Sequence, residues 1–502
     1  METPKTGAPT VVVAGAGLAG FCAAIAARDA GARVILLEKG GPEDVGGNAA
    51  FSAGLFLFPY AGASDLLSIT GDFEEGLEAD SIEAPAYTQA EYGAELMSMS
   101  NGEADADLVD ALAARSLDTM RWLTTKGMNF TFGRSLGPEV RDGVLHVPPG
   151  QCLQTTGNGL SRGYEMFAPL IEYAETHGIE VRWSTPLTQI HRTDGHITSV
   201  VAGGHKIRCD ALVVATGGFQ ADAELRREHL GPAMAEAVLR GTRHSTGDGI
   251  LAALTAGADR SGAWGRCHSA AVDVTMPSPR RSDDDPPAPL HGFWLGVLVN
   301  RTGQRFVDEG PGPWVKHYSK MGKAILGQPG SDAYEVFDQR AASRVANEFA
   351  GAAVPLTADT LEDLAHQMGV PVAEFVATIE RFNGACRPSP VIAEAATTDG
   401  VEPPKSRWAA PIDEPPFVAY HARPGVTFTF GGVRIDADGH ALDHTRTPVP
   451  GLYAAGEATG GLFYGDYPGG AALMRAAVFG RTAGASAAAE AAHCPPDAPQ
   501  TH

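Results

Sequence analysis

The stretch "TVVVAGAGLAGFCAAIAARDAGARVILLEK", residues 10–39, decides the fold. Val11 to Val13 and Val34 to Leu37 are continuous apolar runs, too uninterrupted for half-exposed strands and suited to parallel strands covered on both faces. Between them Gly15, Gly17 and Gly20 form a GxGxxG step that opens an alanine-rich helical run beginning with Leu18 and Ala19. The first glycine permits the tight turn, the second lets backbone approach a pyrophosphate, and the third lets helix pack on strand. The helix N-terminus supplies the field that holds the phosphates. Glu38, followed by Lys39, ends the second strand, where a carboxylate accepts hydrogen bonds from a ribose. The reading is an α/β, Rossmann-like dinucleotide-binding domain.

Working outward, 502 residues exceed what one hydrophobic core usually organises, so a second domain is expected. The dinucleotide-binding domain is assigned to 1–260 and 426–502, with an inserted α+β capping domain over 261–425. Pro-rich stretches at 277–290 and 387–407 read as exposed loops within that insertion. A net charge of −22, from 38 Lys+Arg against 60 Asp+Glu without a basic cluster, argues against a nucleic-acid partner. The start "METPKTGAPTVVVAGAG" has no charged n-region followed by a long apolar core, and no run is long enough to span a membrane, so a soluble cytoplasmic protein is expected. Six cysteines are scattered without a CxxC pair, and no His/Cys/Asp/Glu group has ligand spacing, so neither a cluster, a haem nor a metal is expected.

NAD and FAD share the opening fingerprint, and the rest of the chain chooses between them. Gly46, Gly47 and Asn48 follow the second strand closely, Thr216, Gly217 and Gly218 end a later one, and Gly456 and Glu457 end the last. Glycine-rich strand ends so widely separated in sequence suit an extended ligand lying across a sheet, which favours FAD. The ordered set "GAGLAG", "LLEK", "GGN", "ATGGF", "TGDG" (246–249), "NRTGQRFVDEG" (300–310), "TFTFGG" (427–432) and "GLYAAGEATGG" with "YPGG" and "FGR" resembles the flavoprotein superfamily of fumarate reductase, succinate dehydrogenase, tricarballylate dehydrogenase and 3-ketosteroid Δ1-dehydrogenase. The resemblance spans nearly the whole chain. It implies FAD held by these segments, including Asp248, Ala472 and Leu473, with Glu38 on the adenosine ribose and Glu457 on the ribitol. Members with covalent flavin carry a histidine near the GG motif, whereas none lies between Glu38 and Tyr60, so the FAD is expected to be non-covalent.

The superfamily moves a hydride between a substrate carbon and the flavin while a protein group handles the proton on the neighbouring carbon. Where fumarate reductases place an arginine acid, counting back from "AILGQPG" puts Tyr318, and where they place a clamping arginine before the last helix stands Tyr467. Their paired histidines correspond to Thr427 and Phe428. These departures remove the groups that grip a dicarboxylate, and the tyrosines resemble those of ketosteroid dehydrogenases, where one phenol is a base and the other, with a nearby backbone N–H, polarises a ketone. Here the amides of Gly469 to Ala471 are candidates for that help. A phenol, which ordinarily titrates at about pH 10, needs a nearby cation to act as base at neutral pH, and Lys316, His317 and Lys320 are candidates. "WGRCHSAAVDV" (264–274) and "LFYGDYPGGAALM" look closer to tricarballylate dehydrogenase, whose substrate needs cations; Arg266, His268, Arg305 and Arg475 could supply them. For Arg475 a salt bridge to Asp466 and a contact to substrate or flavin both stay open, and Tyr464 and Tyr467 could also be packing residues.

The expectation is therefore an FAD-dependent dehydrogenase or ene reductase acting on a CH–CH bond beside a carbonyl or carboxyl group, with Tyr318, Tyr467, His268 and Arg475 as its catalytic set. Its partners would be a small-molecule substrate and a separate electron acceptor: oxygen, a quinone or a redox protein. The rivals are a 3-ketosteroid Δ1-dehydrogenase-type enzyme and a non-catalytic flavin-binding sensor or assembly subunit.

Overall fold

A computed structural model describes residues 8–70, 81–132, 138–156, 162–274, 289–312, 317–348, 353–389 and 393–493. Most of the Pro-rich stretch 277–290 lies outside them. In chain order the main elements are β1 (Thr10–Ala14), α1 (Leu18–Asp29), β2 (Arg33–Leu37), β3 (Glu180–Arg182), β4 (Ala211–Val214), β5 (Val238–Leu239), α2 (Asp248–Thr255), β6 (Arg260–Asp273), β7 (Val297–Asn300), α3 (Tyr318–Leu326), β8 (Ala333–Phe337), β9 (Phe417–Val433), β10 (His440–Leu442), β11 (Pro448–Ala454) and α4 (Ala471–His493). The chain forms two compact units, one of residues 1–225, 242–267 and 428–502, the other of 226–241 and 268–427.

The first unit is built on a six-stranded sheet in the order β10-β11-β4-β1-β2-β3, parallel except for the antiparallel edge pair β10 and β11. Its central strands are fully buried, as their unbroken valine and leucine runs require. The register sets Ala14 level with Leu37 and Val214, and Val214 level with Ala454. The loops after β1, β2, β4 and β11 therefore leave the sheet together at its carboxyl edge, where ligands of doubly wound sheets bind. Helices α1 and α4 cover one face, and small residues set how closely they pack. A Cβ on Gly480 would stand 2.4 Å from the Ala19 carbonyl oxygen and one on Gly484 2.0 Å from that of Ala23. Only glycine fits at these two positions, so α1 and α4 approach closely there.

The second unit has a sheet in the order β5-β9-β8-β7, with β6 and the strand Leu356–Ala358 also pairing with β9. One buried cluster, with Val297, Val336, Leu364, Phe375 and Phe382, lies on one side. A second, with Phe293, Leu298, Met321, Ile325 and Phe337, packs beneath α3. Pairing of β5 and β6 with β9 brings the chain on either side of the excursion 242–267 back to the same strand.

Candidate functional site

At the carboxyl edge of the first sheet the glycines divide by what their surroundings demand. Gly15 has φ +103°, and a Cβ there would sit 2.4 Å from the Ala215 carbonyl oxygen; one on Gly20 would sit 1.7 Å from that of Gly15. Both are required by the protein's own packing. Gly17 differs: its φ is −81°, and a Cβ would meet nothing closer than the Gly46 oxygen at 3.7 Å. Gly47 likewise meets only Gly17, at 3.7 Å, and Gly17 and Gly46 form a parallel bridge. Packing leaves a gap beside these two residues, at the head of α1, where a phosphate would need backbone exposed.

Glu38 is buried and ties this loop, its Oε2 accepting from the Ala16 amide at 2.7 Å and its Oε1 from the Gly40 amide at 2.8 Å. Each carboxylate oxygen retains acceptor capacity, as a ribose-binding role needs. Lys39 and Asp248, both expected at the cofactor, are paired with each other at 2.5 Å, and the Lys39 ammonium also donates to Thr246. Leu18 and Ala19 lie buried in the first turn of α1.

A second cluster joins the other strand ends. Asn48 accepts from the Thr242 amide at 3.1 Å and donates to Glu457 at 3.3 Å, while Gln220 donates to the same Glu457 oxygen at 3.4 Å. The other Glu457 oxygen accepts from the Thr429 amide at 3.1 Å. Burial pushes the Glu457 carboxyl up to about 7 despite these donors and the Arg475 charge. Gly217, with φ +75°, and Gly218 lie where a Cβ would strike Ser245 or Thr429 and Glu457, so this turn is packed against its partners. Gly456, φ +67°, is likewise closed off by Ala19. The Thr216 hydroxyl is buried without a hydrogen-bond partner among the described residues.

The segment entering α4 carries further unfilled donors. The Ala471 amide donates to Pro468 at 3.0 Å and the Met474 amide to Gly470 at 3.3 Å, while those of Ala472 and Leu473 have no partner among the described residues. Ala471 is thereby removed from the candidate oxyanion donors, and the two free amides face the N-terminal end of a 23-residue helix. Tyr467 packs edge-on to Phe428, centroids 5.0 Å apart, and against Phe463 at 5.3 Å. Arg475 is only 3% exposed, its guanidinium 4.7 Å from the Phe463 ring centre. It makes no ion pair among the described residues, so the Asp466 bridge does not form, and its Nε is buried without a partner. Burial pulls Arg475 down to about 10, with the Glu457 charge opposing.

In the second unit, Tyr318 opens α3 and is packed edge-on against two imidazoles, His268 at 5.1 Å and His291 at 4.9 Å between centroids. Burial holds His268 well below its ordinary value and takes His291 to about 3, with the Arg240 charge pushing the same way, so both rings are neutral. Lys320 contacts His317 at 3.2 Å. Lys316 lies outside the described residues. The cations available for a tricarboxylate shrink. Arg266 bonds Glu103 at 2.6 Å, and Arg305 is buried in an ion pair with Glu309 at 2.6 Å and donates to the Pro403 carbonyl. Arg240 and His291 escaped sequence reasoning because no motif marks them; the pairing of β5 with β9 places Arg240, and the bridge of Val272 to Pro289 together with the Tyr318 ring contact places His291.

Unfilled amides on α4, an unpartnered Thr216 hydroxyl and the open faces of Gly17 and Gly47 are what a bound dinucleotide would use. The FAD binding domain family matches residues 10–473. The chain belongs to the FAD binding domain family. It is 30% identical over 492 residues to the fumarate reductase (cytochrome) of Shewanella frigidimarina, spanning 95% of this chain and 76% of that one. Among solved structures, the open conformation of a flavocytochrome c3 fumarate reductase matches with TM-score 0.72 and 26% identity, covering 97% of this chain and 79% of that one. A 3-ketosteroid-Δ4-(5α)-dehydrogenase from Rhodococcus jostii RHA1, in complex with 4-androstene-3,17-dione, matches with TM-score 0.69 and 25% identity, covering 96% and 97%. The protein is an FAD-dependent oxidoreductase of α/β fold. Among the described residues no helix is long and apolar enough to cross a membrane.

Proposed function

We propose that the protein oxidises a CH–CH bond beside a carbonyl or carboxyl group, or reduces the corresponding alkene, with FAD held non-covalently. The observation that carries this reading is Tyr318 packed against two buried, neutral imidazoles, at the position where the resemblance implies an arginine in fumarate reductases. FAD, when bound, supplies the hydride chemistry. Everything else falls to the chain. Glu38 and the amides at the heads of α1 and α4 hold the dinucleotide, and Glu457 with Asn48 orients the ribitol. Tyr318 moves the substrate proton, and His268 and His291 form the dry wall that orients its ring. Tyr467 donates to the substrate oxygen where negative charge develops. The FAD-holding body would be 1–260 with 426–502 and the cap 261–425, in a cytoplasmic enzyme passing electrons to a separate acceptor.

With Arg266 and Arg305 engaged in ion pairs, Arg240 and Arg475 are the buried or half-buried guanidiniums of these clusters left without one among the described residues. Cations so few disfavour tricarballylate and fumarate. Anaerobic titration of the purified flavoprotein with fumarate, tricarballylate, monocarboxylic acids and a 3-ketosteroid tests the reading. Bleaching of the oxidised flavin band by a saturated acid or ketone, or reoxidation of the reduced band by the alkene, supports it. A flavin inert to every compound, co-purifying with a stoichiometric protein partner, would instead make the chain a redox sensor or assembly subunit. Acid precipitation that left FAD in the pellet would refute non-covalent binding.

A further inference from the structure

We infer that Arg240 is the receptor for a substrate carboxylate, which makes the substrate an organic acid; this rests on the CH–CH redox reading above. The residue follows β5, whose pairing with β9 fixes its backbone, the Arg240 N–H donating a hydrogen bond to the Val426 carbonyl at 2.9 Å. Its side chain donates to the Thr427 hydroxyl at 3.1 Å. That leaves a guanidinium with its Nε buried and unpartnered, and no ion pair among the described residues. A partly desolvated cation is costly unless an anion offsets it. The groups its field reaches are His268 and His291, both kept neutral by burial, and these flank Tyr318.

β5 and β6 both pair with β9, so Arg240, Thr427 and His268 come from three adjacent strands, and His291 follows the bridge between Val272 and Pro289 that holds its segment to β6. The cluster offers one fixed positive charge and several neutral N–H and O–H donors. A carboxylate complements it, because guanidinium matches both oxygens in one plane and the neutral rings add donors without adding charge. A ketone would leave the guanidinium uncompensated. No sequence motif marks this residue, which lies outside the segment carrying Tyr318.

The experiment is calorimetric titration of the holoenzyme with butanoate, 3-phenylpropanoate, succinate and tricarballylate, each against its uncharged amide. At least one acid is expected to bind about 10- to 100-fold more tightly than its amide, the difference a charge-assisted bond supplies. Arg240→Gln removes that preference and Arg240→Lys keeps part of it, both with unchanged flavin content and absorption. Arg240→Gln with wild-type preference, or no acid in the panel favoured over its amide, overturns the inference. The two readings fail separately. A 3-ketosteroid that reduced the flavin while no acid bound would sink the carboxylate receptor and leave the CH–CH reading; acids that bound through Arg240 without any panel compound changing the flavin would do the reverse.

Discussion

Replacing Glu335 by glutamine should stabilise the second unit over wild type by an amount that grows as pH rises from about 5 to 8, while the buried, neutral His268 and His291 contribute the same pH slope to both proteins. Glu335 stands on β8 between Leu298 of β7 and Tyr420 of β9, fully buried, with neither carboxylate oxygen hydrogen-bonded among the described residues. Burial pushes its pKa from 4.5 up to about 8, helped by the Glu309 charge and opposed by that of Lys405. The folded state thus binds this proton more tightly than the unfolded chain does. The contribution is fully present below pH 4.5 and is lost as pH rises to about 8. At about 1.4 kcal/mol per pKa unit the total is on the order of 5 kcal/mol. Lys405, buried and pulled down to about 8, stays protonated through most of that window and adds little slope until its upper end. Hydrogen exchange of β7, β8 and β9 amides, corrected for intrinsic rates, measures the opening free energy without requiring two-state unfolding of both units. Between pH 5 and 8 the gap between Glu335→Gln and wild type should widen by about 1 kcal/mol per unit in favour of the variant. Parallel pH curves for the two proteins would refute the buried, protonated carboxyl.

Gly17→Ala should fold with wild-type stability, since its φ is negative and its Cβ meets nothing within 3.7 Å, yet bind FAD roughly tenfold or more weakly; fluorescence titration of the apoprotein decides, and wild-type affinity would remove Gly17 from the phosphate site. Gly20→Ala, by contrast, should fail to give a stable protein, because its Cβ would lie 1.7 Å from the Gly15 oxygen. Tyr318→Phe and Tyr467→Phe should each keep bound FAD while lowering kcat by roughly 100-fold or more, and wild-type turnover in either clears that phenol of its role. Arg475→Met replaces a buried cation that has no ion-pair partner among the described residues, so the apoprotein should be as stable or more so by thermal melting; a loss of several degrees would show that its charge offsets that of the buried Glu457.

What the sequence made legible was what short-range pattern controls. The unbroken Val11–Val13 and Val34–Leu37 runs, with the glycines between, specify β1, α1 and β2 because each is a local consequence of burial and turn geometry. The other strand ends were readable for the same reason. Partners set by strand pairing were not. Arg240 meets Thr427 only because β5 pairs with β9, and nothing near "VLRGTRH" announces it. Arg305 sits four residues before Glu309, a spacing that hints at an ion pair, yet this segment is not a helix, so the pair follows from burial rather than from helical geometry.

On the proposed reading, charge is the physical variable that would separate this chain from a dicarboxylate reductase of similar fold. Two buried imidazoles could in principle hold anions, but His268 and His291 lie in surroundings dry enough to keep them neutral, and the nearby Arg240 guanidinium pushes them further from protonation. An enzyme that gripped two or three carboxylates through these rings would need to protonate them, against both burial and a like charge. A single carboxylate on Arg240 requires neither. It would also relieve the cation that helps depress both histidines, so acid binding should raise their pKa values, a shift that histidine NMR would detect and that a neutral ketone would not produce. Unmoved histidine resonances on binding a tight acid would place that acid elsewhere.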